Sequence, residues 1–454
     1  MEPSESRVFY SGNWHGSYPV AERGEGAYLY DAEGKRYLDA IGGMFVVTIG
    51  HGVAEVADAI ADQARKLCFV NRYRFTNEPQ ERLADKIIEM APEGMGEVFF
   101  ITSGSTANET AIQIARQYHI ERGNESKYKV IGQWHNYNGS TIGTLSVSGY
   151  VAPRRAMKMD PYLLNFPLIQ PPHCYHCPFN LTYPSCEVAC ANELARIIEQ
   201  EGPDTISAFL ATPIIGGTGG AIVPPPDYFA KIKEICEFYD ILFIADEVIT
   251  GFGRLGKNFG IQHWHVTPDI ITTAKTLSSG YAPLAAVIVH KHILETFKSG
   301  NRKGILLFST YSGHPLSCAA ALAVQNYIAK HKLIEQCAAM GQYLKGELKT
   351  LAEREPLIGN VRGEGLFLGV ELVQDRKTRK PFPRSMKLQE QIVQGAFERG
   401  VLLSGRFGTG AGLDGDHISI VPPFIITKSH CDEIVAALES SIKQVKGSLQ
   451  LACA

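Results

Sequence analysis

The feature that most constrains the fold is an alternation of short apolar segments with helical segments between residues 97 and 290. The apolar segments have the length of buried strands, and amphipathic stretches separate several of them. This alternation is typical of a mainly parallel sheet covered by helices on both faces, because parallel strands need crossover connections. The strand candidates are EVFFI (97–101), KVIGQWH (129–135), ISAFLA (206–211), ILFIA (241–245), DIITTA (269–274) and AAVIVH (285–290).

The segments outside this region have a different pattern. Residues 24–40 alternate apolar and polar side chains around a turn at 32–34 and predict a β-hairpin, and EPQERLADKIIEM predicts a helix that ends before a proline. Beyond residue 330 the pattern changes to longer helices with few strands. We therefore expect an α/β protein with a large domain over residues 66–329. Residues 330–454 should form a smaller α+β domain, joined by the amino-terminal segment 1–65.

The composition indicates an ordinary globular protein and argues against two classes of partner. Apolar residues make up 45% of the 454 residues and the formal net charge is −3, without a block of like charges. Nucleic acid and membrane surfaces are therefore not expected as partners. No apolar stretch is long enough to predict a transmembrane helix. MEPSESRVFY has no secretory-signal pattern and six of the ten cysteines are scattered, so we expect a cytoplasmic protein.

Chemically useful residues follow several of the strand candidates. In such sheets functional side chains gather at the carboxyl ends of the strands. The small residues 103–105 precede a helix, where backbone N–H groups bind anions, and Tyr137 follows the second candidate strand. Asp246 follows ILFIA and Lys275 follows DIITTA. Each residue alone also fits a structural role, as a helix cap, a core aromatic, an N-cap carboxylate or a surface lysine.

Taken together, these residues match what pyridoxal 5′-phosphate (PLP) requires of a protein. The cofactor needs an anchor for its phosphate, a stacking face, a partner for its pyridine nitrogen and an amine for its aldehyde. Asp246 would keep the nitrogen protonated. Lys275, partly desolvated at the sheet edge, would bind the aldehyde and move a proton at the substrate Cα, which is the central step of transamination.

Five motifs occur along the chain in one order: TSGSTANE, YNGST, FIADEVITGFGR, TAKTLSSGYAPLAAV and TYSGHP. With them the chain resembles the class III (ω-amino acid) aminotransferases, which are PLP enzymes of fold type I. The resemblance implies that Lys275 carries the cofactor and that Asp246 contacts its ring nitrogen. It also implies roles for residues around the ring and the phosphate: Val248 and Tyr137 on the two ring faces, and Ser103, Gly104 and Ser105 at the phosphate.

The resemblance extends to the subunit arrangement and to the substrate pocket. Thr310 looks like the threonine that reaches the phosphate from a neighbouring subunit, which implies a homodimer or a dimer of dimers. Phe45 and Tyr73 fall where the family lines the pocket with aromatic residues. Arg406 lies close to the arginine that often binds a substrate carboxylate in this family, a task that suits a bidentate guanidinium.

Two positions depart from the family pattern. Asn138 stands where a histidine is usual, and Thr212 stands where a glutamate commonly precedes proline. Because a threonine cannot neutralise a guanidinium, we expect altered substrate handling. Arg406 would then be either unpaired and available to a carboxylate or turned away from the pocket.

The implied reaction moves an amino group from an amine or (ω-)amino acid to a 2-oxo acid such as pyruvate or 2-oxoglutarate. An amino-acid racemase or epimerase, or a phospho-lyase, is the alternative on the same fold. A racemase needs a second acid or base on the ring face opposite Lys275, and no residue identifiable from the sequence fills that role.

A cysteine cluster suggests a different class of protein, a zinc-dependent enzyme or a metal-bound interaction module. Cys174, Cys177, Cys186 and Cys190 lie in PPHCYHCPFNLTYPSCEVACA. Four thiolates can hold a tetrahedral zinc ion, which would be structural because catalytic zinc keeps an open position. The sequence leaves open a structural zinc ion, an iron–sulfur cluster or free thiols in a loop.

Overall fold

The computed structural model describes residues 7–8, 18–300, 304–409 and 412–452, so Cys453 lies outside the described residues. The amino-terminal part forms an antiparallel three-stranded sheet followed by three helices. Its elements are β1 (Ala21–Glu25), β2 (Tyr28–Asp31), β3 (Arg36–Leu38), α1 (Gly42–Phe45), α2 (Ala54–Lys66) and α3 (Glu78–Met90). The predicted hairpin corresponds to β2 and β3, and β1 adds a third strand. Asn77 begins α3 by accepting a hydrogen bond from the Gln80 N–H.

A large sheet forms the centre of the molecule, and all six strand candidates belong to it. Within the described ranges its order is β4-β11-β10-β9-β8-β5-β6, with β7 beside β5. The strands are β4 (Met95–Ile101), β5 (Lys129–Trp134), β6 (Ser148–Gly149), β7 (Leu168–Ile169), β8 (Ile206–Ala211), β9 (Leu242–Asp246), β10 (Ile270–Thr273) and β11 (Ala285–His290). All neighbours from β10 to β6 pair in parallel, whereas β11 is antiparallel to both of its neighbours. The expected α/β class with a mainly parallel sheet is confirmed.

Helices cover both faces of this sheet: α4 (Gly104–Glu121), α5 (Ile142–Val147), α6 (Ala189–Glu201), α7 (Tyr228–Phe238), α8 (Lys291–Ser299) and α9 (Pro315–Lys330). Successive side chains of β8 point to opposite faces, as the strand period of two requires. Leu210 belongs to the same buried cluster as Ile114 of α4. Phe209 belongs to a second cluster with Phe229 of α7. This burial on both faces explains why ISAFLA is apolar without alternation.

The carboxyl-terminal part forms a second, antiparallel sheet of order β12-β13-β16-β15, with β14 paired to β13. Its elements are α10 (Leu333–Arg354), β12 (Ile358–Glu364), β13 (Phe367–Asp375), β14 (Lys380–Pro381), α11 (Leu388–Glu398), β15 (Ser404–Phe407), β16 (Asp416–Ile420) and α12 (Lys428–Ala452). Leu38 and Val56 share a buried cluster with Leu368 and Leu438. We therefore propose the division in which residues 1–65 join 330–454 beside a domain of 66–329, although α9 packs into the clusters of both. In the part of the chain that the structure describes, no helix is long and apolar enough to cross a membrane.

Candidate active site

The sheet positions a cavity of about 510 Å³ where several parallel strands end. Most of the residues selected from the sequence line it: Phe45, Gly104, Ser105, Tyr137, Thr212, Asp246, Val248, Lys275 and Arg406. They come from connections that are far apart in the sequence and meet because the carboxyl ends of parallel strands share one edge. Ser103, Tyr73 and Thr310 do not line this cavity.

Asp246 ends β9 and is held by three hydrogen bonds. It is 2% exposed. Its Oδ2 accepts from Nδ2 of Asn108 at 2.7 Å and from Nδ2 of Asn138 at 2.8 Å, and its Oδ1 accepts from the Val248 N–H at 3.0 Å. Burial raises the pKa of this carboxyl, while the Asn138, Val248 and Asn108 hydrogen bonds act in the opposite direction. A carboxylate offers about four acceptor positions, so one remains for a further donor.

Lys275 follows β10, the strand next to β9, and its amine faces the same cavity. Burial lowers the pKa of its ammonium to about 8; Asp246 opposes this effect and Arg254 adds to it. The Nζ atom lies 5.2 Å from the centre of the Phe45 ring. Lys275 has a φ of 44°, in the left-handed region that side chains other than glycine rarely adopt. Such strain is common at functional sites, where the surrounding structure holds it.

The amino terminus of α4 presents free backbone N–H groups at the cavity. Within the described residues, the backbone N–H groups of Gly104 and Ser105 have no hydrogen-bond acceptor, as expected at the start of a helix. Ser103 is the N-cap, and its hydroxyl accepts from the Thr106 N–H. The Ser105 hydroxyl oxygen accepts from the Ser140 N–H at 3.1 Å, which ties the loop after β5 to this helix. Free N–H groups and the helix dipole together suit a phosphate.

Two side chains suit the faces of a flat ring in the cavity. Val248 lies so close to Gly104 that a Cβ on the glycine would be 2.8 Å from Cγ1 of the valine. Only glycine therefore fits beside Val248 at the start of α4. Tyr137, on the other connection, is 45% exposed and stands edge-on to Tyr150 with ring centres 6.2 Å apart.

Arg406 lines the cavity and is not neutralised. Its Nη1 donates to the Gly405 carbonyl at 2.7 Å, and no carboxylate pairs with it among the described residues. Thr212, at the position where the family commonly has glutamate, instead donates its hydroxyl to Oδ1 of Asn136 at 3.1 Å. Of the two expected arrangements, the structure has the one in which Arg406 stays at the cavity without an acidic partner.

The remaining candidates lie away from the cavity of their own chain. Tyr73 is 69% exposed, and the Arg72 guanidinium donates to its hydroxyl. Thr310 is exposed in the segment before α9. Arg72 also donates to the Leu307 carbonyl, which joins the segments that carry Tyr73 and Thr310.

The cysteine cluster does not form the predicted metal site. Cys174, Cys177 and Cys186 are free thiols in an irregular connection between β7 and α6, and Cys190 is a free thiol in the first turn of α6. No three His, Cys, Asp or Glu side chains of the described ranges are arranged to hold a metal ion. Burial raises the pKa of Cys190 to about 12 and that of Cys174 above its ordinary value. Because a bound metal deprotonates the thiols that coordinate it, the arrangement of the side chains decides the question, and the zinc and iron–sulfur interpretations find no support.

Sequence reasoning missed Asn108, which bridges the two sides of the site. Its Nδ2 donates to both Asp246 and the Asn138 carbonyl, and its Oδ1 accepts from the Thr272 hydroxyl. Asn108 is 1% exposed, on a helix face that also buries Ala107 and Ala111. A polar residue on that apolar face is the signal that identifies it, because a buried amide requires partners.

The residues of the cavity fit PLP. The amides of Gly104 and Ser105 are open to a phosphate, one acceptor position of Asp246 is open to a ring N–H, and Lys275 offers an amine. Val248 and Tyr137 can enclose the ring from its two faces. The donor set therefore matches each functional group of the cofactor.

Comparison with known proteins places the chain in a family. Residues 10–442 match the family described as aminotransferase class-III. The uncharacterized aminotransferase YodT of Bacillus subtilis is 39% identical over 438 residues, which are 96% of this chain and 97% of that protein. The diaminobutyrate–2-oxoglutarate transaminase of Halomonas elongata is 36% identical over 96% of this chain and 92% of its own length. A solved aminotransferase structure from Bacillus anthracis matches with a TM-score of 0.91 at 34% identity and 97% coverage of both chains. The chain belongs to the class III aminotransferases.

Proposed function

We propose that this protein is a PLP-dependent transaminase that moves an amino group from an amine or (ω-)amino acid to a 2-oxo acid such as pyruvate or 2-oxoglutarate. The observation that carries the proposal is the meeting of Lys275, Asp246 and the open amino terminus of α4 in one cavity, beside an arginine without an acidic partner.

When bound, PLP supplies an electrophilic aldehyde and an electron-withdrawing pyridinium ring. Lys275, whose pKa is lowered to about 8, has a substantial fraction of neutral amine near that pH and can take a proton from the substrate Cα. Asp246 would accept a hydrogen bond from the ring nitrogen and keep that atom protonated. The α4 amides would bind the phosphate, and Val248 and Tyr137 would enclose the ring from its two faces.

Arg406 indicates the class of substrate, namely compounds that carry a carboxylate. Both an amino acid donor and a 2-oxo acid acceptor carry a carboxylate, which a guanidinium binds through two parallel hydrogen bonds. Because Thr212 is engaged with Asn136 and carries no charge, the positive charge of Arg406 remains available.

The two halves of the reaction can be followed in the absorption spectrum of the PLP-loaded protein. An amine donor alone should convert the visible absorption into the near-ultraviolet absorption of pyridoxamine phosphate, and this form should persist. A 2-oxo acid should then restore the starting spectrum. A racemase, an epimerase or a phospho-lyase would instead return to the starting spectrum with its substrate alone, which would refute transamination.

Arg406→Ala should raise KM for 2-oxo acid acceptors about 10- to 100-fold, because hydrogen bonds between charged groups contribute about 1.5–3 kcal/mol. The KM for a small aldehyde without a carboxylate should stay unchanged. Steady-state kinetics with paired acids and aldehydes measures both values. Arg65→Ala removes an equal charge from the exposed face of α2 and should change neither. Equal losses for acids and aldehydes would show that Arg406 does not bind the carboxylate.

We further propose that the protein is a homodimer or a dimer of dimers. Two neighbouring segments carry large exposed apolar side chains, namely Leu67, Phe69, Tyr73, Phe75, Leu306, Phe308 and Tyr311. The ring centres of Phe69 and Tyr311 are 5.9 Å apart and Arg72 donates to the Leu307 carbonyl, so the two segments that carry this patch are in contact. Patches of this kind mark interfaces, and this one carries Thr310, consistent with a role for Thr310 in the neighbouring subunit. Light scattering should give at least twice the chain mass of 49.8 kDa; a monomeric mass would contradict the proposal.

We also propose a cytoplasmic location. The nine cysteines of the described residues are free thiols, which suits a reducing compartment. Cell fractionation tests this, and recovery in an extracellular fraction would contradict it.

A further inference from the structure

A second cavity, of about 460 Å³, opens next to the end of β5. His135 lines this cavity, and the next residue, Asn136, lines the cavity that holds Lys275. Among the described residues, none lines both cavities. The wall of the second cavity combines three histidines with an arginine, an amide and a hydroxyl. The polar side chains that matter here are His135, Arg155, Gln170, His173, His176 and Thr409.

Two buried polar atoms at this cavity have no hydrogen-bond partner among the described residues. His173 is 5% exposed and Thr409 is 4% exposed. In the part of the chain that the structure describes, Nε2 of His173 and Oγ1 of Thr409 make no hydrogen bond. Leaving such a group unsatisfied costs about 1–3 kcal/mol, so native proteins rarely do so without a ligand or an ordered water.

The charge at this cavity is positive. Arg155 is exposed at its edge and, within the described ranges, makes neither an ion pair nor a hydrogen bond. No aspartate or glutamate belongs to the described lining. The nearby carboxylate of Glu371 is already paired with Arg362 and accepts a hydrogen bond from His176.

His173 and His135 can act here as neutral donors. Burial, together with the charge of Arg362, lowers the pKa of His173 well below its ordinary value and also lowers the pKa of His135. A neutral imidazole presents one N–H and one acceptor nitrogen. The Gln170 side chain adds an amide to the same wall; in the ranges that the structure describes, only its backbone N–H is engaged, with Glu193.

We propose that the second cavity is a binding site for a small oxyanion, a carboxylate or a phosphate, separate from the cavity that holds Lys275. The guanidinium of Arg155 supplies the charge, and the Thr409 hydroxyl, the His173 imidazole and the Gln170 amide supply hydrogen bonds. A volume of about 460 Å³ lies in the range of small-molecule sites, which is about 300–1,000 Å³.

Isothermal titration calorimetry tests this without using activity. The titrated protein is the PLP-loaded chain with Arg406→Ala. In this protein the cofactor occupies the phosphate position of the first cavity, and the substitution removes its carboxylate position. The probes are inorganic phosphate and succinate, at constant ionic strength with chloride as the background anion. At least one probe should bind with a Kd in the millimolar range or below.

Added to that background, Arg155→Ala and the nearly isosteric Thr409→Val should each weaken the Kd about tenfold, which corresponds to about 1.4 kcal/mol. Arg65→Ala removes the same charge from a surface outside both cavities and should leave the Kd unchanged. Arg155→Ala changes an exposed side chain and Thr409→Val removes only a hydroxyl, so both variants should fold. Circular dichroism checks this.

Each result decides the proposal. Binding of phosphate alone identifies a phosphate-bearing ligand, and binding of succinate alone identifies a carboxylate. If neither anion binds, water satisfies His173 and Thr409 and the proposal is wrong. It is equally wrong if Arg155→Ala and Thr409→Val bind as tightly as the background protein.

Discussion

Lys275→Ala should lower transamination on the order of 10,000-fold and remove the visible absorption of the PLP-loaded protein. The variant loses both the amine that binds the aldehyde and the base that moves the proton at the substrate Cα, and proton transfer alone contributes about 100- to 10,000-fold. Absorption spectra and single-turnover rates measure the two losses separately. PLP can still be held through the α4 amides and Asp246, so the variant should retain bound cofactor without the visible band.

Lys257→Ala is the matched control for this variant, because Lys257 is exposed and does not line the first cavity. It should keep the spectrum and the rate of the parent protein. A small primary amine added to the Lys275→Ala variant should restore part of the proton-transfer rate. If Lys275→Ala keeps the visible band and its activity, the assignment of this lysine is wrong.

The lowered pKa of Lys275 also predicts how cofactor loading depends on pH. Only the neutral amine attacks an aldehyde, and the pKa of about 8 lies below the ordinary value of 10.5 for lysine. Below pH 8 the ammonium dominates, so the rate at which the cofactor-free chain takes up PLP should rise about tenfold per pH unit. Above pH 8 the rate should level off, whereas an ordinary lysine would show a rise up to about pH 10.

The strands and the site edge were predictable from the sequence because their signals are local. The apolar run ILFIA predicts a strand, and the polar Asp246 directly after it predicts where the strand ends. Asn108 was not predictable in the same way, because its role depends on which helix face meets β9 and β10. Thr409 and His173 are 236 residues apart, and only the packing of the antiparallel sheet against the large domain brings them to one cavity.

The cysteine cluster shows that the spacing of residues in the sequence is not enough to predict a metal site. Its pattern suits four thiolate ligands, but Cys190 lies in α6 and the other three lie in the irregular connection before it, and within the described residues these side chains are not arranged to hold a metal ion. Spacing fixes which residues are near each other along the chain, whereas the folded backbone decides whether their side chains converge on one point, as a tetrahedral metal site requires.

Asp246→Asn should lower kcat/KM about 100- to 1,000-fold while the fold is retained. The substitution keeps the shape of the side chain but removes the charge that holds a proton on the ring nitrogen, and removing one partner of a buried charged pair costs about 3–5 kcal/mol. Asn108 and Asn138 can still donate to the remaining side-chain oxygen, but the Val248 N–H then loses its acceptor, so the free energy of unfolding should fall by about 1–3 kcal/mol. Kinetics and thermal unfolding measure the two effects.

Asp240→Asn is the matched control for Asp246→Asn, since Asp240 pairs with Arg122 on the surface and should leave kcat/KM unchanged. A spectroscopic pH titration of the bound cofactor separates an electrostatic role from a structural one. With Asp246 in place the ring nitrogen should stay protonated over the whole stable pH range, because a buried carboxylate partner favours the charged form of the ring. In Asp246→Asn the nitrogen should lose its proton at a lower pH. If the titration is the same in both proteins, Asp246 acts only by shaping the cavity, and its assignment as the partner of the ring nitrogen fails.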